Sequence, residues 1–194
     1  MMAGGNPEEG RQDNDWYATP PEVTQSLLAA YGSFLEGYSG LYVEPCCGDG
    51  AISKILAQRL PEARVASFDL VYRGYGFQAD IFSRVIQRDD EVDVVITNPP
   101  FNIAEKIVRH VMGNWKPKVM ALLLKSTFFH AAERAALFEE YPPAHIFALP
   151  WRPDFLGKGR PTMECSWFVW DVNQPKGICY YSVAPNLNPK RRQR

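Results

Sequence analysis

The sequence predicts one α/β domain built on a doubly wound, mostly parallel sheet, of the Rossmann-like kind. Three observations carry that expectation. Helical and extended patterns alternate from residue 20 onward. Val92–Thr97 is a near-continuous apolar run, the mark of a strand covered by helices on both faces. The 194 residues suffice for one substantial core, and no repeat or linker divides them. The composition, 46% hydrophobic and 22% charged, is that of a soluble globular protein. No run of 18 apolar residues is present, which excludes a membrane span. Residues 1–15 lack the apolar core of a secretory signal.

Each element has a local reason. Residues 1–14, rich in glycine and charge, read as a disordered tail, and the domain proper as 15–185. Thr19 before Pro20 and Pro21 reads as an N-cap with proline in the first turn, opening a helix to Tyr31. Gly32, Gly37 and Gly40 mark a loop. Leu41–Glu44 is a short strand stopped by Pro45. Ala51–Leu60 is a helix with Ile52, Ile55 and Leu56 on one face. Arg64–Asp69 is the next strand, and residues 80–88 form a short helix before strand Val92–Thr97. Ile103–Met112 is helical, Lys118–Leu124 extended, Thr127–Glu140 helical and His145–Leu149 extended. A loop over 150–163 follows, and Cys165–Asp171 and Ile178–Val183 close the sheet, with an antiparallel C-terminal strand. Residues 186–194 form a basic tail.

Ligands of such sheets bind beyond the carboxyl ends of the strands, so the residues there matter most. After the first strand comes Glu44-Pro45-Cys46-Cys47-Gly48-Asp49-Gly50, leading into a helix. Gly48 and Gly50 let the backbone approach a ligand closely. Ser53 replaces the third glycine of a dinucleotide fingerprint, and a carboxylate ahead of the glycines suits a cationic ligand better than a phosphate. An ordinary glycine turn is the alternative. Asp69 closes the second strand, where a carboxylate can hold a ribose diol, cap a helix or stand in solvent. Asp80 either meets an adenine amino group or caps the next helix.

The sharpest signal is Asn98-Pro99-Pro100-Phe101, directly after the buried strand. Each proline forces its predecessor out of the helical region, so Asn98 and Pro99 are held extended. The Asn98 amide oxygen and the Pro99 carbonyl then make two fixed acceptors for an exocyclic NH2. Phe101 supplies a face for stacking a planar ring.

On these residues, across roughly Trp16 to Asp171, the chain resembles the S-adenosylmethionine-dependent amino-methyltransferases, in particular small phage-type DNA N6-adenine methyltransferases. Members carry a D/N/S-P-P-F/Y/W motif, matched by Asn98 to Phe101, and a cofactor loop of an acid followed by x-x-x-G-x-G, matched by Glu44 to Gly50. They often open with aromatic-x-T-P, here Tyr17-Ala18-Thr19-Pro20 preceded by Trp16. The resemblance implies a class I methyltransferase sheet and methyl transfer from S-adenosylmethionine to N6 of adenine flipped out of DNA. It implies catalysis by Asn98, Pro99, Pro100 and Phe101, with no metal. It also implies a cofactor site of Trp16, Tyr17, Thr19, Glu44, Pro45, Cys46, Gly48, Gly50, Asp69, Leu70, Asp80, Ile81 and Asn98. Glu44 would face the cationic methionine end, Asp69 the ribose and Asp80 the cofactor adenine. The same motif serves RNA adenine and protein glutamine methyltransferases, and a non-catalytic nucleic-acid-binding subunit could keep the fold.

Only 46 residues separate Gly50 from Thr97, and 93 follow Phe101. A target-recognition domain is therefore not expected, and target specificity is expected to be relaxed or short. The charge is uneven: residues 1–149 carry 13 basic and 19 acidic side chains, a net −6, whereas residues 150–194 carry 8 and 3, a net +5. In the loop from Trp151 to Met163, Arg152, Lys158 and Arg160 face a single acid, Asp154, and make it the expected DNA contact, flexible through Gly157 and Gly159. The tail Lys190–Arg194 is either a further phosphate contact or a solvated end. Cys46, Cys47, Cys165 and Cys179 lack zinc-site spacing and read as reduced thiols of a cytoplasmic protein, in a bacterial or phage-infected cell. His110, His130 and His145 read as structural.

Overall fold

The computed structural model describes residues 17–83, 91–174 and the backbone of 179–182. Trp16, both expected tails and residues 84–88 of the expected short helix lie outside the described residues.

Helix α1 (Pro21–Leu35) buries Val23, Leu27, Tyr31 and Leu35 as one stripe, with proline in its first turn. It runs a turn beyond the expected end, because Gly32 packs inside it against Leu28 rather than breaking it. Strand β1 (Leu41–Glu44), helix α2 (Ala51–Arg59) and strand β2 (Arg64–Asp69) follow as expected. A two-residue strand, β3 (Phe77–Gln78), then pairs with the end of β2. It has no sequence signature of its own. Strand β4 (Val92–Thr97) is buried at every residue.

After β4 a 3-10 turn (Phe101–Ile103) leads into α3 (Ala104–His110), which widens into a π turn (Val111–Trp115) ending at left-handed Lys116. Strand β5 (Val119–Lys125) is apolar up to its last residue. The expected helix over Thr127–Glu140 is broken into two 3-10 turns and the short α4 (Ala135–Glu140). Ala131 is extended, with φ −94° and ψ 121°. The break lets Phe128 turn inward edge-on to Phe138 and Phe168, while the Arg134 guanidinium donates to the Phe128 carbonyl at 2.8 Å. Tertiary packing overrides helix propensity here. Strands β6 (His145–Ala148), β7 (Cys165–Asp171) and β8 (Cys179–Ser182) complete the described elements.

Among the described residues the sheet has eight strands, in the order β3-β2-β1-β4-β5-β7-β6-β8. The expected antiparallel strand is β7, inserted between β5 and β6, and β8 runs parallel to β6. Strand order reverses between β1 and β4, the switch point at which a doubly wound sheet opens a crevice. Helices α1 and α2 cover one face and α3 and α4 the other. Strand β7 fastens both layers. The Trp167 indole N–H donates to the Val23 carbonyl of α1 (3.0 Å), and that of Trp170 to the Tyr141 carbonyl after α4 (2.8 Å).

Candidate active site

The cleft at the switch point encloses about 1640 Å3 beside the carboxyl ends of β1, β2, β4 and β5. That exceeds the few hundred to about 1,000 Å3 of a typical single-ligand pocket. Most sequence-expected residues meet there: Tyr17, Thr19, Glu44, Pro45, Cys46, Asp69, Leu70, Asp80, Ile81 and all four of Asn98 to Phe101. Gly48 and Gly50 do not line it. They shape the loop behind, while Asp49 and Ala51 present the surface.

Gly50 has φ +81°, and a Cβ there would meet the Tyr75 ring at 2.4 Å. Left-handed geometry and close approach both demand glycine. Glu44 is 2% exposed and engages the first turn of α2: its carboxylate accepts the Ser53 N–H at 2.8 Å and the Ser53 hydroxyl, which also meets the Ser67 hydroxyl at 2.6 Å. A carboxylate at that position satisfies an orphan N–H and opposes the helix dipole. Burial nonetheless pushes Glu44 up to about 8, against the lowering effect of the Ser53 bonds. Asp69 accepts the Gly48 N–H at 2.9 Å on one oxygen and the Val71 N–H at 3.0 Å on the other. It thereby clamps the glycine loop to the end of β2. Asp80 caps its own turn through the Phe82 N–H (2.9 Å) and the Ser83 hydroxyl (3.1 Å).

Pro100 is extended at φ −56° and ψ 123°, and the following 3-10 turn closes on its carbonyl (3.2 Å from the Ile103 N–H), not on that of Pro99. Asn98 donates through its side-chain amide to the Thr19 hydroxyl at 3.1 Å. Thr19 is thus not the cap of α1: Pro20 holds that position, without a side-chain cap bond. Phe101 is half-buried against both cores, with the Lys125 ammonium 5.5 Å from its ring centroid. Burial raises the thiols of Cys46 and Cys47 in the cleft wall, Cys47 to about 12, which disfavours their thiolate forms.

Three features were not anticipated. Asp49 has a buried carboxylate oxygen, Oδ1, without a partner among the described residues, yet its side chain lines the cleft. Lys125 ends β5 inside the cleft. Phe155 reaches within 6.4 Å of Tyr17, ring centroid to centroid. The C-terminal loop also departs from expectation. Arg152 does not line the cleft; its guanidinium pairs with Glu164, Nε to Oε1 at 2.8 Å. Asp154 staples the loop by accepting the Lys158 and Gly159 N–H groups at 3.2 and 2.5 Å. Gly157 and Gly159 serve that turn with φ +65° and +71°. Lys158 and Arg160 do line the cleft.

No family model and no curated protein matches the sequence. Among solved structures, a type I restriction–modification methyltransferase subunit from Streptococcus thermophilus superposes with a TM-score of 0.58 and 15% identity, over 84% of this chain and 47% of that one. The chain thus spans about half the length of that subunit. A protein from Pyrococcus horikoshii assigned as an RNA methyltransferase gives 0.61 and 14%, over 84% and 90% of the two chains. A dimethyladenosine transferase from Plasmodium falciparum gives 0.50 and 16%, over 80% and 63%. These likenesses establish the fold as the class I methyltransferase type. Among the described residues no cluster of His, Cys, Asp and Glu could hold a metal, and no helix is long and apolar enough to cross a membrane.

Proposed function

We propose that the protein transfers a methyl group from S-adenosylmethionine to N6 of adenine in DNA. The observation that carries this reading is the Asn98-Pro99-Pro100-Phe101 turn, standing at the end of β4 in the same cleft as the glycine loop and Asp69. The cofactor lies over that loop. Asp49, on the cleft wall, receives the methionine ammonium, and Glu44 behind it holds the start of α2. The carboxylate rim of Asp69 receives the ribose hydroxyls. Leu70, Asp80 and Ile81 flank the cofactor adenine.

The target adenine, extruded from the duplex, stacks on Phe101. Its amine donates to the Asn98 oxygen and the Pro99 carbonyl, which draws nitrogen toward tetrahedral geometry. The nitrogen lone pair forms the new N–CH3 bond as the S–CH3 bond breaks and its electrons return to sulfur. The amine then loses a proton to water. Orientation and fixed dipoles lower the barrier, with no covalent intermediate and no metal.

Lys158 and Arg160 contact phosphate, which fixes position without reading sequence, so specificity is relaxed or short. Such a protein works where DNA lies, in the cytoplasm of a bacterial or phage-infected cell. RNA is the second reading, favoured by the RNA-directed assignment of the Pyrococcus structure. Transfer of a labelled methyl group to DNA, RNA and protein in parallel tests the proposal. Label in N6-methyladenine of DNA supports it, and label confined to RNA or protein overturns it.

A further inference from the structure

The charges of the cleft are segregated. Asp49, Asp69 and Asp80 line it beyond the ends of β1 to β3, with Arg73 among them, whereas Lys125 and Arg134 line it at and beyond the end of β5. Arg134 is committed within the protein. Its guanidinium donates to the Phe128 carbonyl at 2.8 Å, lies 4.5 Å from that ring's centroid and stands 4.0 Å from Glu105. Lys125 is not so committed. It ends a strand whose other residues are all buried, yet its own side chain is exposed. Among the described residues no carboxylate lies within ion-pair distance of its ammonium. Glu164, the residue before its ladder partner Cys165, is bonded to Arg152 instead. The Lys125 ammonium lies 5.5 Å from the centroid of the Phe101 ring.

A cation beside a cationic cofactor, with no carboxylate of its own, is stabilised most by an anionic ligand. The Phe101 ring indicates which anion. It packs against both cores and turns its remaining surface to the cleft, where the target base stacks. A base there takes the space over the ring. The ammonium, on its flexible stem, then moves to the rim of the base, where the sugar and its phosphates lie.

We propose that Lys125 binds a phosphate directly attached to the nucleoside being methylated. The inference rests on the methyl-transfer reading above. Lys158 and Arg160 grip the strand without reference to the base, whereas a phosphate held at the end of β5 fixes the extruded nucleotide itself, and with it the amine. The substrate is accordingly adenine within a strand, and neither a free nucleoside nor a protein amide meets the requirement.

The test uses the full chain and a short single-stranded oligothymidylate carrying one adenine. Methylphosphonate, which is uncharged, replaces the phosphate on the 5′ side of the adenine, on its 3′ side, or remote from it. Wild type is expected to lose roughly tenfold in kcat/KM with one of the two adjoining replacements, the scale of one charge-assisted hydrogen bond. Lys125→Met, which still packs on the Phe101 ring, should show that loss on the unmodified strand and no further loss on the modified one. Lys125→Arg should regain the sensitivity to the replacement, and the remote replacement should affect all three proteins equally. Losses that multiply at both adjoining positions overturn the proposal, as does wild-type kcat/KM in Lys125→Met. Binding isotherms of the same strands to protein loaded with S-adenosylhomocysteine separate this failure from failure of the methyl-transfer reading. The same coupling in affinity, in a protein that methylates no nucleic acid, supports the phosphate site and overturns only that reading. Methylated adenine without coupling overturns the phosphate site and leaves methyl transfer standing.

Discussion

The two ends of the sheet handle charge in opposite ways. At the amino ends, oppositely charged side chains pair with each other. The Lys118 ammonium lies 2.6 Å from Asp93 Oδ1, whose other oxygen accepts the Gly40 N–H at 2.9 Å. A Cβ on Gly40 would sit 2.1 Å from that carboxylate. Asn173 and Tyr38 bond across the same end at 2.6 Å, and Tyr31 donates to Asp171. At the carboxyl ends, Glu44, Asp69 and Asp80 are held by backbone N–H groups and serine hydroxyls. Neutral donors orient a carboxylate without cancelling its charge. The amino ends are tied by the Lys118–Asp93 ion pair, whereas Asp69 and Asp80 stand on the cleft rim where a cationic group of a ligand can meet them, with the buried Glu44, pushed up to about 8, behind.

The contrast is sharpest under substitution. Asn98→Ala removes an acceptor from the open end and should slow methyl transfer by roughly 10²–10³, the cost of losing one preorganised polar group at a reacting centre. Its urea midpoint and cofactor affinity should stay at wild-type values in equilibrium titrations. Asp93→Ala should do the reverse. It removes the acceptor of the half-buried Gly40 N–H, and should cost roughly 1.5–3 kcal/mol of stability by chemical denaturation, with kcat intact. A slow but stable Asp93→Ala protein would collapse the distinction.

Glu44 supplies a graded test. Its folded value of about 8 lies above the ordinary 4.5. Below pH 4.5 both folded and unfolded chains keep the proton and the contribution is complete. From pH 4.5 to 8 the unfolded chain ionises first, so stability falls as pH rises, on the order of 1 kcal/mol per pH unit. Glu44→Gln should flatten that stretch in urea unfolding series taken across pH. An unchanged slope would assign the titration to another group.

The smallest effect concerns the basic loop. Arg160→Ala should reduce the salt slope of DNA binding by about 0.9, one phosphate contact. Arg152→Ala should leave it alone, since that guanidinium is bound to Glu164. Equal slopes for the two, read from binding isotherms at several salt concentrations, would return Arg152 to the interface.

What was legible in the sequence was local. β4 and β7 could be bounded from apolar runs, because burial on both faces leaves few polar interruptions. The glycine loop and the proline turn were legible because their backbone demands are written in residue type. What stayed hidden depended on distant partners. Thr19 before two prolines carries a cap signature, yet its hydroxyl serves Asn98. Arg152 reads as a free cation because Glu164 lies just past the loop. The helix expected over 127–140 breaks because Phe128 answers to Phe168. Asp49 differs again: its isolation is a property of the assembled loop, not of any neighbour in sequence.

The insertion of β7 between β5 and β6 has a consequence for biosynthesis. Its ladder with β5 runs from Lys125–Cys165 to Val119–Asp171, so β5 has no second neighbour until the chain through residue 171 is available. Until then Val119 to Leu124 offers an unpaired, wholly apolar edge, the kind of surface that recruits strands from other molecules. Chains shortened before Cys165 should therefore accumulate as aggregates, and β7 is as much a guard against self-association during synthesis as a part of the finished sheet.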